Sequence, residues 1–120
     1  MKVLIIDDEA DICFILSYEI NSKGHASVSF QSALAAQNYL LTENVDVVVC
    51  DYQMPGMNGL EFFHWLQENG RPIPFILLTG GTYSESVFLK EKGITEVLIK
   101  PSGVKDIGTI LNKISSDPKI

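Results

Sequence analysis

Long apolar runs are missing from this 120-residue chain, so no stretch offers a membrane-spanning helix. A basic excess is missing too: 9 Lys and Arg stand against 15 Asp and Glu, a net charge of −6. Direct binding to nucleic acid needs basic surface to displace counterions, so that function is disfavoured. Indirect roles in transcription are untouched by this balance. Met1-Lys2 leads straight into an apolar segment without a small-residue cleavage site. The expectation is therefore no secretory signal, and a cytoplasmic location. Cysteine is scarce: Cys13 and Cys50 read as small buried hydrophobes in a reducing compartment. His25 and His64 lack a second ligand at metal-binding spacing and read as surface residues, which argues against a phosphohistidine role. No repeat, low-complexity segment or internal linker divides the chain. The length suits a single domain over 1–120, with about 115–120 as a tail or the start of a linker.

What is present is a 46% hydrophobic chain in which short apolar runs alternate with helix-like stretches. Strands are predicted at about 2–7, 25–30, 46–51, 73–79 and 96–100. Helices are predicted at about 10–23, 32–42, 59–69, 84–92 and 104–115, several of them closed by glycine. The expected core stripes are Ile12, Ile15, Leu16 and Ile20; Ala33, Leu34, Ala36 and Leu40; Leu60, Phe63 and Leu66; and Val104, Ile107, Ile110, Leu111 and Ile114. Five such units imply an α/β, doubly wound, flavodoxin-like (βα)5 fold with a parallel sheet and right-handed crossovers. Serines alternate with Ala26, Val28 and Phe30 in the second strand, which suits an edge. The expected strand order is 2-1-3-4-5, with the switch point between the first and third strands.

Four of the five runs end in a residue able to do chemistry. The first leads into Asp7 and Asp8, the third into Asp51, the fourth into Thr79 and the fifth into Lys100. In a parallel sheet these positions share one crevice beyond the strand ends. Asp7 and Asp8 repel unless one holds its proton or a cation lies between them. Mg²⁺ prefers one or two carboxylates together with water and phosphate oxygens. Asp51 can act as a nucleophile and form an acyl phosphate, and the turn Pro55-Gly56-Met57-Asn58-Gly59 leaves space above it. Gln53 can lend its backbone carbonyl to the metal. Lys100 can pair with a carboxylate or a phosphoryl oxygen, and its bond to Pro101 can be cis. Thr79, followed by Gly80 and Gly81, can donate its hydroxyl to a phosphoryl oxygen. Alone, each piece also reads as a helix-capping acid, a strand-capping threonine or a lysine reaching solvent.

Together, Asp7-Asp8, Asp51 with Met54-Pro55 and Gly59, Thr79, and Lys100-Pro101 resemble the signature of two-component response-regulator receiver domains. The match is ordered and covers almost the whole chain. The resemblance implies that Asp51 accepts a phosphoryl group from a histidine kinase or histidine phosphotransfer protein. It implies that Asp7, Asp8, Asp51 and the Gln53 carbonyl hold Mg²⁺, and that Thr79 and Lys100 contact the phosphoryl group. It further implies a switch acting on a partner or output domain, not a turnover enzyme, with only self-phosphorylation and self-dephosphorylation. The kinase-docking side would be the first helix, at Ile12, Phe14 and Ile15.

The sequence departs from the pattern at Val97, where receivers commonly carry an aromatic that rotates when the threonine moves. Ser102 stands where phenylalanine is frequent, and Gly81 brings neither bulk nor charge beside Thr79. The expectation is that Gly80-Gly81-Thr82 and the fourth helix shift as a loop instead. Phe14 with Tyr18, and Phe62 with Trp65, are placed off the core faces as candidate docking aromatics. The alternatives are a haloacid-dehalogenase-like Mg²⁺-dependent phosphatase, a degenerate receiver acting as a constitutive binding module, and a flavin-binding domain. Against the first, Asp7 and Asp8 are adjacent rather than in Asp-x-Asp spacing, and only Asp106 and Asp117 follow Lys100. Intact Asp51 and Lys100 argue against the second. The third lacks a Ser/Thr-rich phosphate loop after the first strand.

Overall fold

A computed structural model describes residues 1–116, the side chain of Tyr83 excepted. The last part of the expected tail, 117–120, lies outside the described residues. The elements are β1 (Lys2–Ile6), α1 (Ala10–Ser22), β2 (Ala26–Phe30), α2 (Ala33–Leu40), β3 (Val47–Asp51), α3 (Gly59–Glu68), β4 (Phe75–Thr79), α4 (Tyr83–Lys90), β5 (Glu96–Ile99) and α5 (Ile107–Ser116). All pairings are parallel and the order is β2-β1-β3-β4-β5, as expected. The fifth helix begins later than its apolar pattern predicts. Ser102–Asp106 forms a 3-10 helix first, and the α-helical part starts at Ile107.

Successive strand residues point to opposite faces, so the central strands feed two cores. Val3, Ile5, Val47, Val49, Ile76 and Leu78 pack under α1 and α5. Leu4, Ile6, Val48, Cys50, Phe75 and Leu77 pack under α2, α3 and α4. Both faces of β3 and β4 are covered, which is why those strands read as unbroken apolar runs. Cys13 and Cys50 are buried and free, and they sit on opposite faces of the sheet. Burial pushes both thiols up, as expected of inert core cysteines.

The helix stripes differ from their predicted phase in three places. On α1 the buried line is Cys13, Leu16 and Ile20, while Ile15 turns outward at 45% exposure. On α2, Leu34 is 67% exposed beside the buried Ala33 and Ala36. On α3, Phe62 is fully buried rather than a surface aromatic, and Leu60 is only partly covered. On α3 the reason lies at Gly59. A Cβ there would stand 2.5 Å from both the Asp51 carbonyl oxygen and Leu77 Cδ1. Glycine thus lets the helix start press onto the sheet, which rolls Phe62, Phe63 and Leu66 inward. Trp65 is half-buried with its ring 5.5 Å from that of Phe62. Phe62→Ala should therefore cost about 3–5 kcal/mol. Leu34→Ala should stay within about 0.5 kcal/mol of the parent. Urea unfolding of both variants checks this, and equal losses would show that α3 is wrongly phased.

Candidate functional site

The register aligns Ile6 with Cys50, Asp51 with Leu78 and Thr79 with Ile99. Residues at or just past the strand ends therefore meet at one edge of the sheet. The Asp7 N–H donates to the Phe30 carbonyl at 3.1 Å, the Tyr52 N–H to the Leu78 carbonyl at 2.7 Å, and the Lys100 N–H to the Thr79 carbonyl at 2.7 Å. These bonds fix the backbone on which the site side chains sit. At the start of α3, Asn58 accepts the Glu61 N–H while the Glu61 carboxylate accepts the Asn58 N–H, both at 2.8 Å. This capping box anchors the loop that follows Asp51.

Lys100 is the centre of the cluster. Its Nζ lies 2.9 Å from Asp7 Oδ2, 3.0 Å from Glu9 Oε1 and 3.2 Å from Asp51 Oδ1. The Lys100–Pro101 peptide is cis. Asp7 is fully buried and Asp51 nearly so. Asp7 Oδ1 accepts the Glu9 N–H at 2.9 Å, and Oδ2 has the ion pair with Lys100. Asp8 and Glu9 are exposed beside them. Asp7, Asp8, Glu9 and Asp51 each offer a carboxylate oxygen within 4.8 Å of the others. A cleft of about 310 Å³ opens over them, lined by Asp8, Glu9, Asp51, Gln53, Gly80 and Lys100.

The electrostatics follow from burial and crowding. Burial, then the charge on Asp7, pushes Asp51 up to about 6, against the pull of Lys100. Burial also raises Asp7, opposed by the Glu9 N–H and by Lys100. Burial disfavours the Lys100 charge, but pairing with Asp7 and Glu9 carries it above the ordinary lysine range. Among the described residues, one ammonium stands beside these four carboxylates, so the cluster is short of positive charge. The donor set is all hard oxygen, which suits Mg²⁺ and not a soft metal.

Every sequence-predicted site residue lies at this edge. Asp7, Asp51 and Lys100 touch directly, Asp8 and Gln53 line the cleft, and Thr79 ends β4 almost completely buried. Val97 is half-buried against the α2–α4 core. The histidines stand apart: His25 Nδ1 meets the terminal amino group at 3.0 Å, and His64 is exposed. Two acids escaped the sequence reading. Glu9 pairs with Lys100, and its only signal was its place after Asp7-Asp8, where an acid also suits a helix N-terminus. Glu85 accepts a hydrogen bond from the Thr79 hydroxyl. Its position in the first turn of α4 looks like ordinary dipole complementarity.

A doubly wound parallel sheet gathers acids, a hydroxyl and a lysine at its switch-point edge. The response regulator receiver domain matches residues 3–112 as a family model, and the chain belongs to that family, whose members are phosphorylated on an aspartate. The two-component response regulator PhoP of Pseudomonas aeruginosa is 27% identical over 115 residues, which cover 95% of this chain and 51% of that protein. The sensor histidine kinase GacS of Pseudomonas protegens is 28% identical over 118 residues, covering 93% of this chain and 13% of that one. The chemotaxis response regulator CheY4 of Vibrio cholerae superposes with a TM-score of 0.83 at 26% identity, covering 94% of this chain and 97% of that one. The chain thus spans about half or less of these two curated relatives. No helix among the described residues is long and apolar enough to cross a membrane.

Proposed function

We propose that Asp51 is the phosphoacceptor of this receiver. The observation that carries this is the contact of Lys100 Nζ with Asp51 Oδ1 and Asp7 Oδ2 at the floor of an acid-lined, open cleft. Asp7, Asp8 and Asp51, with the Gln53 backbone carbonyl, would hold Mg²⁺, and Glu9 joins them at the rim. Bound there, the cation supplies the positive charge that lets two anionic groups meet. Ionised Asp51 attacks the phosphorus of a phosphohistidine, the P–N bond breaks, and the released imidazole takes up a proton from water. The product is an acyl phosphate on Asp51. Lys100 pairs with the transferred group as it pairs now with the carboxylates.

The donor is a histidine kinase or histidine phosphotransfer protein, and the receiver switches a partner or output domain in the cytoplasm. Exposed Phe14 and Tyr18, with Ile15 beside them on α1, support the docking of that donor next to the cleft. The protein is not a turnover enzyme: it gains and loses its own phosphoryl group. Incubation with Mg²⁺ and acetyl phosphate, followed by intact mass, tests the assignment. The parent should gain one phosphoryl group, and Asp51→Asn should gain none.

A further inference from the structure

In the structure the Thr79 hydroxyl already has partners. Its oxygen accepts the Gly81 N–H at 3.0 Å, and its proton is given to Glu85 Oε1. Glu85 is held from both ends. Its own N–H donates to the N-cap oxygen of Thr82 at 3.2 Å, while its carboxylate reaches back to the end of β4. That reach depends on Gly81. A Cβ at Gly81 would lie 2.1 Å from Glu85 Oε1, so any side chain there displaces the carboxylate.

A hydroxyl has one proton to donate. Given to Glu85, it is withheld from an oxygen of a group on Asp51. The bond to an ionised carboxylate is also of the strong kind. Val97, apolar and half-buried, offers Thr79 no polar partner on the next strand.

We propose that Glu85 is a positioning residue that acts through Thr79. It holds the hydroxyl proton away from the phosphoryl site, and a phosphoryl group on Asp51 competes for that proton. Winning the proton releases the Glu85 carboxylate, and with it the first turn of α4. The proposal rests on Asp51 being the phosphoacceptor. It gives Gly81 a role as the opening through which the acid enters, and it links the site to α4 without an aromatic at position 97.

The test is beryllofluoride binding in the presence of Mg²⁺, measured by calorimetry and by fluorine NMR. Glu85→Ala removes the acceptor, and Gly81→Ala keeps the glutamate but expels its carboxylate. Each should bind beryllofluoride about tenfold more tightly than the parent, the weight of one hydrogen bond to a charged acceptor. The double variant should gain no more than either single change, because both break one contact. In a Thr79→Ala background the Glu85→Ala gain should vanish. Glu85→Gln, which keeps a neutral acceptor, should fall between the parent and Glu85→Ala. A merely structural role predicts unchanged or weaker binding with a less stable fold. If the parent binds beryllofluoride and Glu85→Ala binds no tighter, the Glu85 proposal is wrong and the Asp51 assignment stands. If the parent itself does not bind, the Asp51 assignment fails and takes this proposal with it.

Discussion

Asp51→Asn should abolish phosphoryl gain and, without divalent cations, make the folded protein more stable. The two effects share one cause. Asp51 sits nearly buried beside Asp7, and its carboxyl is pushed up to about 6 from the ordinary 3.8. A carboxyl raised in the folded state binds its proton more tightly there than in the unfolded chain. Below the ordinary value both states are protonated, and ionisation costs nothing. As the pH climbs from about 4 through 6, the unfolded chain ionises freely while the folded one resists, so stability is lost across that window. Above the folded value the full penalty, on the order of 3 kcal/mol, is in place.

An asparagine has no charge to desolvate and escapes this penalty. The stability difference between Asp51→Asn and parent, measured by urea unfolding in EDTA, should be small at pH 4 and reach about 3 kcal/mol near pH 7. Millimolar Mg²⁺ should narrow the gap at pH 7, because a ligand of the native parent stabilises it by mass action. A variant less stable than the parent at pH 7 in EDTA would mean that Lys100 more than offsets the crowding. A variant that still gains phosphoryl groups would move the acceptor elsewhere.

Lys100→Ala should act with the opposite sign. Asp7 is fully buried, and its Oδ2 and Asp51 Oδ1 both have the ammonium within 3.2 Å. Removing it leaves two buried carboxylates with no ion-pair partner among the described residues, a loss of about 3 kcal/mol or more at neutral pH in EDTA. The acids can answer by holding protons, so the loss should shrink as the pH falls toward 4. Mg²⁺ should recover more stability in this variant than in the parent, since it replaces the missing charge. Phosphoryl gain should slow as well, because the proposed partner of the transferred oxygens is gone. Unfolding midpoints at pH 4.5 and 7, with and without Mg²⁺, check the signs. A variant as stable as the parent at both pH values would show that the ammonium is not what holds the acids together.

Much of this was legible in the chain itself. Four apolar runs, each ending in Asp, Thr or Lys, pointed to the parallel sheet and the crevice, because strands buried on both faces must be apolar throughout and their polar ends must meet; the alternating second run, with no such end, marked the edge and so the order. Asp7, Asp51 and Lys100 do meet there, within 3.2 Å of the ammonium. Tertiary structure alone decided which helix residues face inward. Phe62 and Leu60 fit an apolar stripe equally well by spacing, and the contact of Gly59 with the Asp51 carbonyl chose Phe62. It alone also brought Glu85 to Thr79. An acid in the first turn of a helix has a sufficient local reason to be there, so its sequence position carries no sign of a second partner. That partner appears only when the loop through Gly80 and Gly81 folds back over the strand end, where the missing side chain at Gly81 leaves the carboxylate a path to the threonine hydroxyl.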